Sequence, residues 1–254
     1  YDSVYMYESY VAFMEYVIDN ELYGVEIASV SNGVLNAGAR VTAETFTTTV
    51  GSMLILLVVI YAAIVAGGTF ADEYKRGTVK MLLIRPVSRN AVTTAKLLSA
   101  LTHTVAAYTV MFACTAIVGY AVFPAAGAKA VFSFNNSAFS LSASSNVLGT
   151  MYATNLVTVL TYAVLAFAAG TLTRNKIFGI IAPIILLEVA GTIISMFGLG
   201  RFFITDAADW SKFVGIGTVL YGGSNFFISL AVWAVWVAAS VVGTYCSVLK
   251  RDAV

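Results

Sequence analysis

FTTTVGSMLILLVVIYAAIVAGGTF, residues 46–70, runs for 25 positions without a charged side chain. At about 1.5 Å of rise per residue, such a helix crosses the roughly 30 Å of hydrocarbon in a bilayer. Four more stretches of comparable length and character follow, at about residues 97–123, 147–172, 177–199 and 225–249. Backbone groups in lipid must be bonded within their own segment, so each stretch reads as a helix. Strands of a barrel would instead give short alternating segments. The fold class predicted is therefore an all-α integral membrane protein with five visible spans.

Composition agrees. Of the 254 residues, 59% are hydrophobic and 11% charged, against about 25% charged in an ordinary globular chain, and the mean hydropathy is +0.87. Five spans and their connections leave no room for a sizeable soluble domain. The 14 Lys and Arg, against 13 Asp and Glu, gather beside apolar runs rather than over a surface, which argues against nucleic acid as a partner. Cys114 and Cys246 lie inside apolar stretches and read as small packing residues.

Orientation follows from where the cations fall. If the spans alternate, Lys75, Arg76, Lys80, Arg85, Arg89, Lys96, Arg174, Lys176, Lys250 and Arg251 share one side. The other side receives Arg40, Lys129, Arg201 and Lys212. The positive-inside rule makes the first side cytoplasmic, with the C-terminus on it. Residues 1–45 are then extracytoplasmic, and an upstream span is expected, six in all. Val4, Tyr7, Val11, Met14, Ile18 and Leu22 recur at helical spacing among Glu8, Glu15, Asp19 and Glu21, predicting an amphipathic helix to about Tyr23. Residues 29–39 and the outer segment 124–146 read as irregular loops.

The function-bearing stretch is FADEYKRGTVKMLLIRPVSRN, residues 70–90. Gly77 interrupts the end of the first span, and Thr78 is placed to cap a following helix of about two turns over 79–84. Pro86 disfavours helix at Arg85, and Ser88 is placed to cap the helix leading into the second span. Met81, Leu82 and Leu83 give this short helix an apolar face, and Lys80 and Arg85 give it a basic border. Such a knob suits a groove on a cytoplasmic partner; equally, a basic loop can fix topology and rest on lipid headgroups.

Residues 73–89, EYKRGTVKMLLIRPVSR, resemble the segment between the second and third helices of ABC-2 type transporter permeases: a Glu, then Arg-Gly-Thr, an apolar pair, and Arg-Pro-Val-Ser-Arg. The rest of the chain agrees in the number and placement of spans. The resemblance implies a six-helix permease half in the plasma membrane, of the bacterial kind, with the short helix as its coupling helix. Glu73, Arg76, Gly77, Thr78, Arg85, Pro86, Ser88 and Arg89 then belong to the coupling region as contact and geometry residues, not catalysts. A separate ATP-binding cassette subunit would hold ATP and Mg, and a second permease half, identical or homologous, would complete the path. No Gly-x-x-x-x-Gly-Lys-Ser/Thr loop occurs in the chain, consistent with ATP being bound elsewhere. Exported peptides or other amphipathic compounds are the substrates such permeases suggest.

Two polar residues stand inside the spans. Glu188, in PIILLEVAG, sits near the middle of the fourth. An ionisable group there costs about 3 kcal/mol or more unless it faces protein or water. It is thus a functional candidate, or a carboxyl that fixes helix packing, for instance at a dimer seam. His103, between Thr102 and Thr104 in the second span, reads as a packing or hydrogen-bonding group, not a metal site, and could pair with Glu188. Ala166 with Gly170, and Ala239 with Gly243, have the spacing that lets helices approach closely. The rival readings are a membrane scaffold or sensor that recruits a partner through the same knob, and an ion-coupled carrier with Glu188 as its proton site.

Overall fold

Long uncharged runs can satisfy their backbone in lipid only by coiling. The computed structural model carries five helices long and apolar enough to cross a membrane: Phe46–Arg76, Arg89–Val122, Leu148–Thr173, Lys176–Ile194 and Phe226–Val248. The protein is a multi-pass membrane protein. The structure describes residues 11, 15, 18–19, 27–31, 34–37, 43–78, 88–124, 131–135, 138–142, 144–197, 199–210 and 226–250. Of the amphipathic helix expected at the start, Val11, Glu15, Ile18 and Asp19 are helical, with Val11 and Ile18 exposed; the rest lies outside the described residues.

The chain divides into two compact units. The first holds residues 1–52, 112–155 and 210–219. Here α1 (Ala43–Arg76) begins and α2 (Arg89–Val122) ends. The Ala43 amide donates to the Pro124 carbonyl at 3.0 Å, the Phe46 and Phe123 rings lie 5.0 Å apart, and the Tyr120 hydroxyl donates to buried Glu44 at 3.0 Å. Glu44 stands in the first turn of α1, where the helix dipole favours a carboxylate.

The same unit carries a four-stranded antiparallel sheet, ordered β1 (Ile27–Ser31), β2 (Val34–Ala37), β3 (Val131–Asn135), β4 (Ala138–Ser142). This corrects both loop expectations and adds to the all-α class a sheet it did not foresee. Two residues, Asn32 and Gly33, separate β1 from β2, with Ser31 opposite Val34. Asn-Gly is the pair that most favours a two-residue hairpin, since both positions accept positive φ. The second hairpin pairs Asn135 with Ala138 and Phe134 with Phe139. Strand β2 joins the hairpins through Val34 with Ser133 and Leu35 with Phe132.

The second unit holds residues 53–111, 156–209 and 220–254. Its core is lined by Ala62, Ala63 and Ala66 of α1 and by Val159, Ala163, Ala166 and Phe167 of α3 (Ser144–Thr173). Small residues let these backbones meet. A Cβ on Gly170 would fall 2.1 Å from the Gly67 carbonyl oxygen, and one on Gly67 would fall 2.8 Å from the Gly179 backbone. Thus α1, α3 and α4 (Lys176–Ile184) touch at three glycines. Of the Ala166/Gly170 pair, Gly170 lies in this contact and Ala166 is buried, whereas a Cβ on Gly243 would meet nothing within 4 Å.

The fourth span is broken, where the sequence suggested one continuous helix. Pro183 sits inside α4 and has no N–H to give the preceding turn. The chain then widens into a π-helical segment, Ile185–Ala190, before α5 (Gly191–Met196) resumes. A buried short helix, α6 (Ile204–Ala208), supports the break. Its Thr205 hydroxyl donates to the Leu187 carbonyl at 2.8 Å, and its last carbonyl, Ala208, accepts from Thr158 of α3 at 3.0 Å. The final helix, α7 (Phe226–Lys250), is held by the Trp233 indole N–H on the Thr161 hydroxyl at 2.8 Å and by the Trp236 ring on Phe203.

Candidate functional site: the braced ends of the basic loop

Helix α1 stops where its sequence says it should. Gly77 has φ +70°, a left-handed conformation that costs a glycine nothing. Its amide donates to the Tyr74 carbonyl at 3.2 Å, and the Thr78 amide donates to the Glu73 carbonyl at 3.1 Å. This pair of bonds is a Schellman closure, which satisfies carbonyls that the helix end would orphan. The Thr78 hydroxyl also turns back to the Glu73 carbonyl, at 3.4 Å, so Thr78 closes the first helix; the helix it was expected to cap lies outside the described residues. At the far end of the loop Ser88 is the expected cap, its hydroxyl accepting from the Ala91 amide at 3.2 Å. Residues 79–87, with Lys80, Met81, Leu82, Leu83, Arg85 and Pro86, and so the predicted two-turn helix itself, lie outside the described residues.

The turns on either side of the loop are clamped to the bundle. On α1, Glu73 pairs with Lys96 of α2 at 2.5 Å, and Asp72 pairs with Lys176 of α4 at 2.8 Å. Lys96 donates as well to the Thr69 carbonyl at 3.2 Å and lies 4.8 Å from the centroid of the Phe70 ring. Phe70 is buried and packs on Phe167 of α3, ring centroids 5.7 Å apart. The Arg174 guanidinium lies 4.7 Å over the Tyr74 ring. Arg174 is itself held at φ 55°, in the two-residue turn between α3 and α4, where Asn175 accepts from the Ile177 amide at 2.9 Å. The end of α1 is therefore fixed by α2, α3 and α4 together.

Beyond the loop, α2 is tied to α7. The Arg89 guanidinium reaches the Val248 carbonyl at 3.5 Å, and the Thr94 and Tyr245 hydroxyls lie 2.6 Å apart. A cation against the last carbonyls of a helix also complements its dipole. Arg76, Lys75, Gly77, Thr78 and Ser88 are exposed. Of the residues predicted for coupling, then, Glu73 and Arg89 face inward as braces, and Arg76, Gly77, Thr78 and Ser88 face outward. Sequence reasoning missed Lys96, Asp72, Lys176 and Arg174 as the partners that hold the loop; the opposed signs within a basic region were the available signal.

Within the fourth span, Glu188 lies in the π-helical segment and is exposed, and the hydroxyl of Tyr162 in α3 donates to its Oε1. His103 is engaged elsewhere: its Nδ1 lies 2.7 Å from the Ser99 carbonyl of its own helix. The pairing of Glu188 with His103 is thus replaced by one with Tyr162. That tyrosine carried no signal in the sequence beyond being a polar-tipped residue on an apolar helix. Among the described residues no group of three or more His, Cys, Asp and Glu could hold a metal ion.

A family model described as a protein of unknown function, DUF2705, matches residues 10–254. One curated relative, "Uncharacterized protein YhcI" of Bacillus subtilis (strain 168), is 26% identical over 210 residues, which is 78% of this chain. The chain covers 65% of that relative's length. The match over nearly its whole length means that the chain belongs to the DUF2705 family.

Proposed function

We propose that this DUF2705 member is the membrane-spanning half of an ATP-driven exporter, moved by a separate ATP-binding cassette subunit that docks on the basic loop at residues 77–88. The observation that supports it is the bracing of that loop. Its two ends leave the bundle from turns of α1 and α2 that are locked to each other and to two further helices: Glu73 to Lys96, Asp72 to Lys176, and Arg89 to the end of α7. A push delivered to a loop with loose ends would be lost in the loop. Delivered here, it reaches α1, α2, α4 and α7 at once. The resemblance of residues 73–89 to ABC-2 permeases names the kind of motor. The ten cations on the loop side favour a cytosolic loop under the positive-inside rule.

In this mechanism two permease halves enclose the path and two ATPase subunits carry ATP and Mg. Closure of the ATPases on nucleotide drives the loops together, and the spans follow as braced units, alternating access to the two sides. Substrates are peptides or other amphipathic compounds that enter from the inner leaflet or the cytosol.

Purification in mild detergent tests the reading: an ATPase subunit is expected to co-purify. Replacing Leu82 or Arg85 by Ala removes one anchor of a small interface and is expected to lower its recovery by about tenfold or more. Unchanged recovery with both variants, while insertion is normal, would sink the assignment. Reconstituted vesicles separate the rivals. ATP-dependent export requires the motor, flux driven by a proton gradient without ATP marks an ion-coupled carrier centred on Glu188, and partner recruitment without flux marks a scaffold.

A further inference from the structure

We infer that Glu188, oriented by Tyr162, is a recognition point for organic cations that carry apolar substituents. The inference rests on the transport reading and names the charge class of the cargo.

Three observations carry it. The first is depth. Glu188 lies twelve residues past Lys176, the first residue of α4, and so about 18 Å along the span at about 1.5 Å per residue. That is the middle of the hydrocarbon, where a carboxylate is retained only for a reason.

The second is presentation. Glu188 is exposed, and so are Ile185 and Val189 beside it, each about half accessible at 52%. A π turn adds a residue to the helical cycle, shifting the direction of every side chain after it by about 100°. Here the break is stabilised by Thr205 on the Leu187 carbonyl, and a Cβ on Gly191 would collide with Thr205 at 2.2 Å. The outward placement is thus built by two elements. Tyr162, 5% exposed, anchors Oε1 from within the bundle.

The third is counter-charge. Among the described residues the printed ion pairs join Lys96 to Glu73 and Lys176 to Asp72, His103 is engaged with Ser99, and Lys75 stands at the far, loop-side end of α1. Among the described residues no cation is paired with Glu188, which leaves its carboxyl available to a cationic ligand. An ammonium or phosphonium with apolar groups matches both halves of the surface: the charge meets the carboxylate, and the substituents meet Ile185 and Val189.

The probe is tetraphenylphosphonium, measured by equilibrium binding to the full-length protein in phosphatidylcholine nanodiscs. Saturable binding is expected, weakened by about tenfold or more in Glu188→Gln and largely kept in Glu188→Asp. Equal affinity in Glu188→Gln overturns the proposal, leaving a carboxyl that only packs, as does the absence of saturable binding to the unaltered protein. If Glu188→Gln does not fold, modification of the unaltered protein by dicyclohexylcarbodiimide decides. Tetraphenylphosphonium should protect Glu188 from the reagent, read by mass spectrometry, and labelling unaffected by saturating cation overturns the site. Cation binding without ATPase co-purification removes the motor and keeps this site; co-purification without Glu188-dependent binding or protection removes this site alone.

Discussion

Gly67, Gly170 and Gly179 come from three helices and occupy one point of the second unit. No side chain fits there, because a Cβ on Gly170 would stand 2.1 Å from a backbone oxygen that cannot rotate away. Gly170→Ala is expected to force α1 and α3 apart and to destabilise the protein by about 1–3 kcal/mol or more, the usual cost of overpacking. Gly51→Ala supplies the control. Its Cβ would meet nothing within 4 Å, so it should be neutral, or stabilising by up to about 1 kcal/mol through helix propensity. Thermal unfolding in detergent followed by size exclusion compares them; equal melting of the two variants would refute the contact. Half of this point was legible. The Ala166/Gly170 spacing announced a surface for close approach, but spacing on one helix does not say which backbone arrives. Tyr162 was illegible for the same reason, since its partner Glu188 lies 26 positions away on a helix whose phase is reset by the π turn.

At the scale of the element, the end of α1 depends on one conformation and two ion pairs. Gly77→Ala places a Cβ at φ +70° and is expected to cost about 1 kcal/mol, with the first turn of the loop shifted. The Glu73–Lys96 pair gives a sharper test, because its side chains are 25% and 16% exposed. Glu73→Lys alone sets two cations together and should reduce ATPase co-purification, whereas Glu73→Lys with Lys96→Glu restores the attraction and should recover it. Failure of the double variant to exceed the single one would show that the pair does not brace the loop. Gly77 and Ser88 could be read as punctuation because caps are local chemistry. The braces could not, because Lys96 and Lys176 meet their acids only after three helices pack. The hairpins were locally legible and still missed. Asn32-Gly33 is a hairpin signal and the alternation of Phe132, Ser133, Phe134 and Asn135 a strand signal, but they were outweighed by the Gly, Ser and Ala around them.

For the whole molecule, the five spans were legible because length and apolarity are enough to define a crossing, while the side each loop faces depends on ten cations against four. That asymmetry makes a prediction free of any partner. Cys114 and Cys246 are unpaired and exposed on their helices, so replacing both with Ala should leave a stable, cysteine-free protein. On that background Ser88→Cys marks the basic loop and Ser133→Cys marks strand β3. One span, α2, lies between them in the chain, so the two positions must fall on opposite sides of the membrane. In intact cells a membrane-impermeant maleimide is expected to label position 133 and to reach position 88 only after permeabilisation. Labelling of both positions from outside would contradict α2 as a span. The reversed pattern would keep every helix but put the braced loop outside, where no nucleotide-driven subunit can push on it, and the exporter would have to be abandoned while the fold stood.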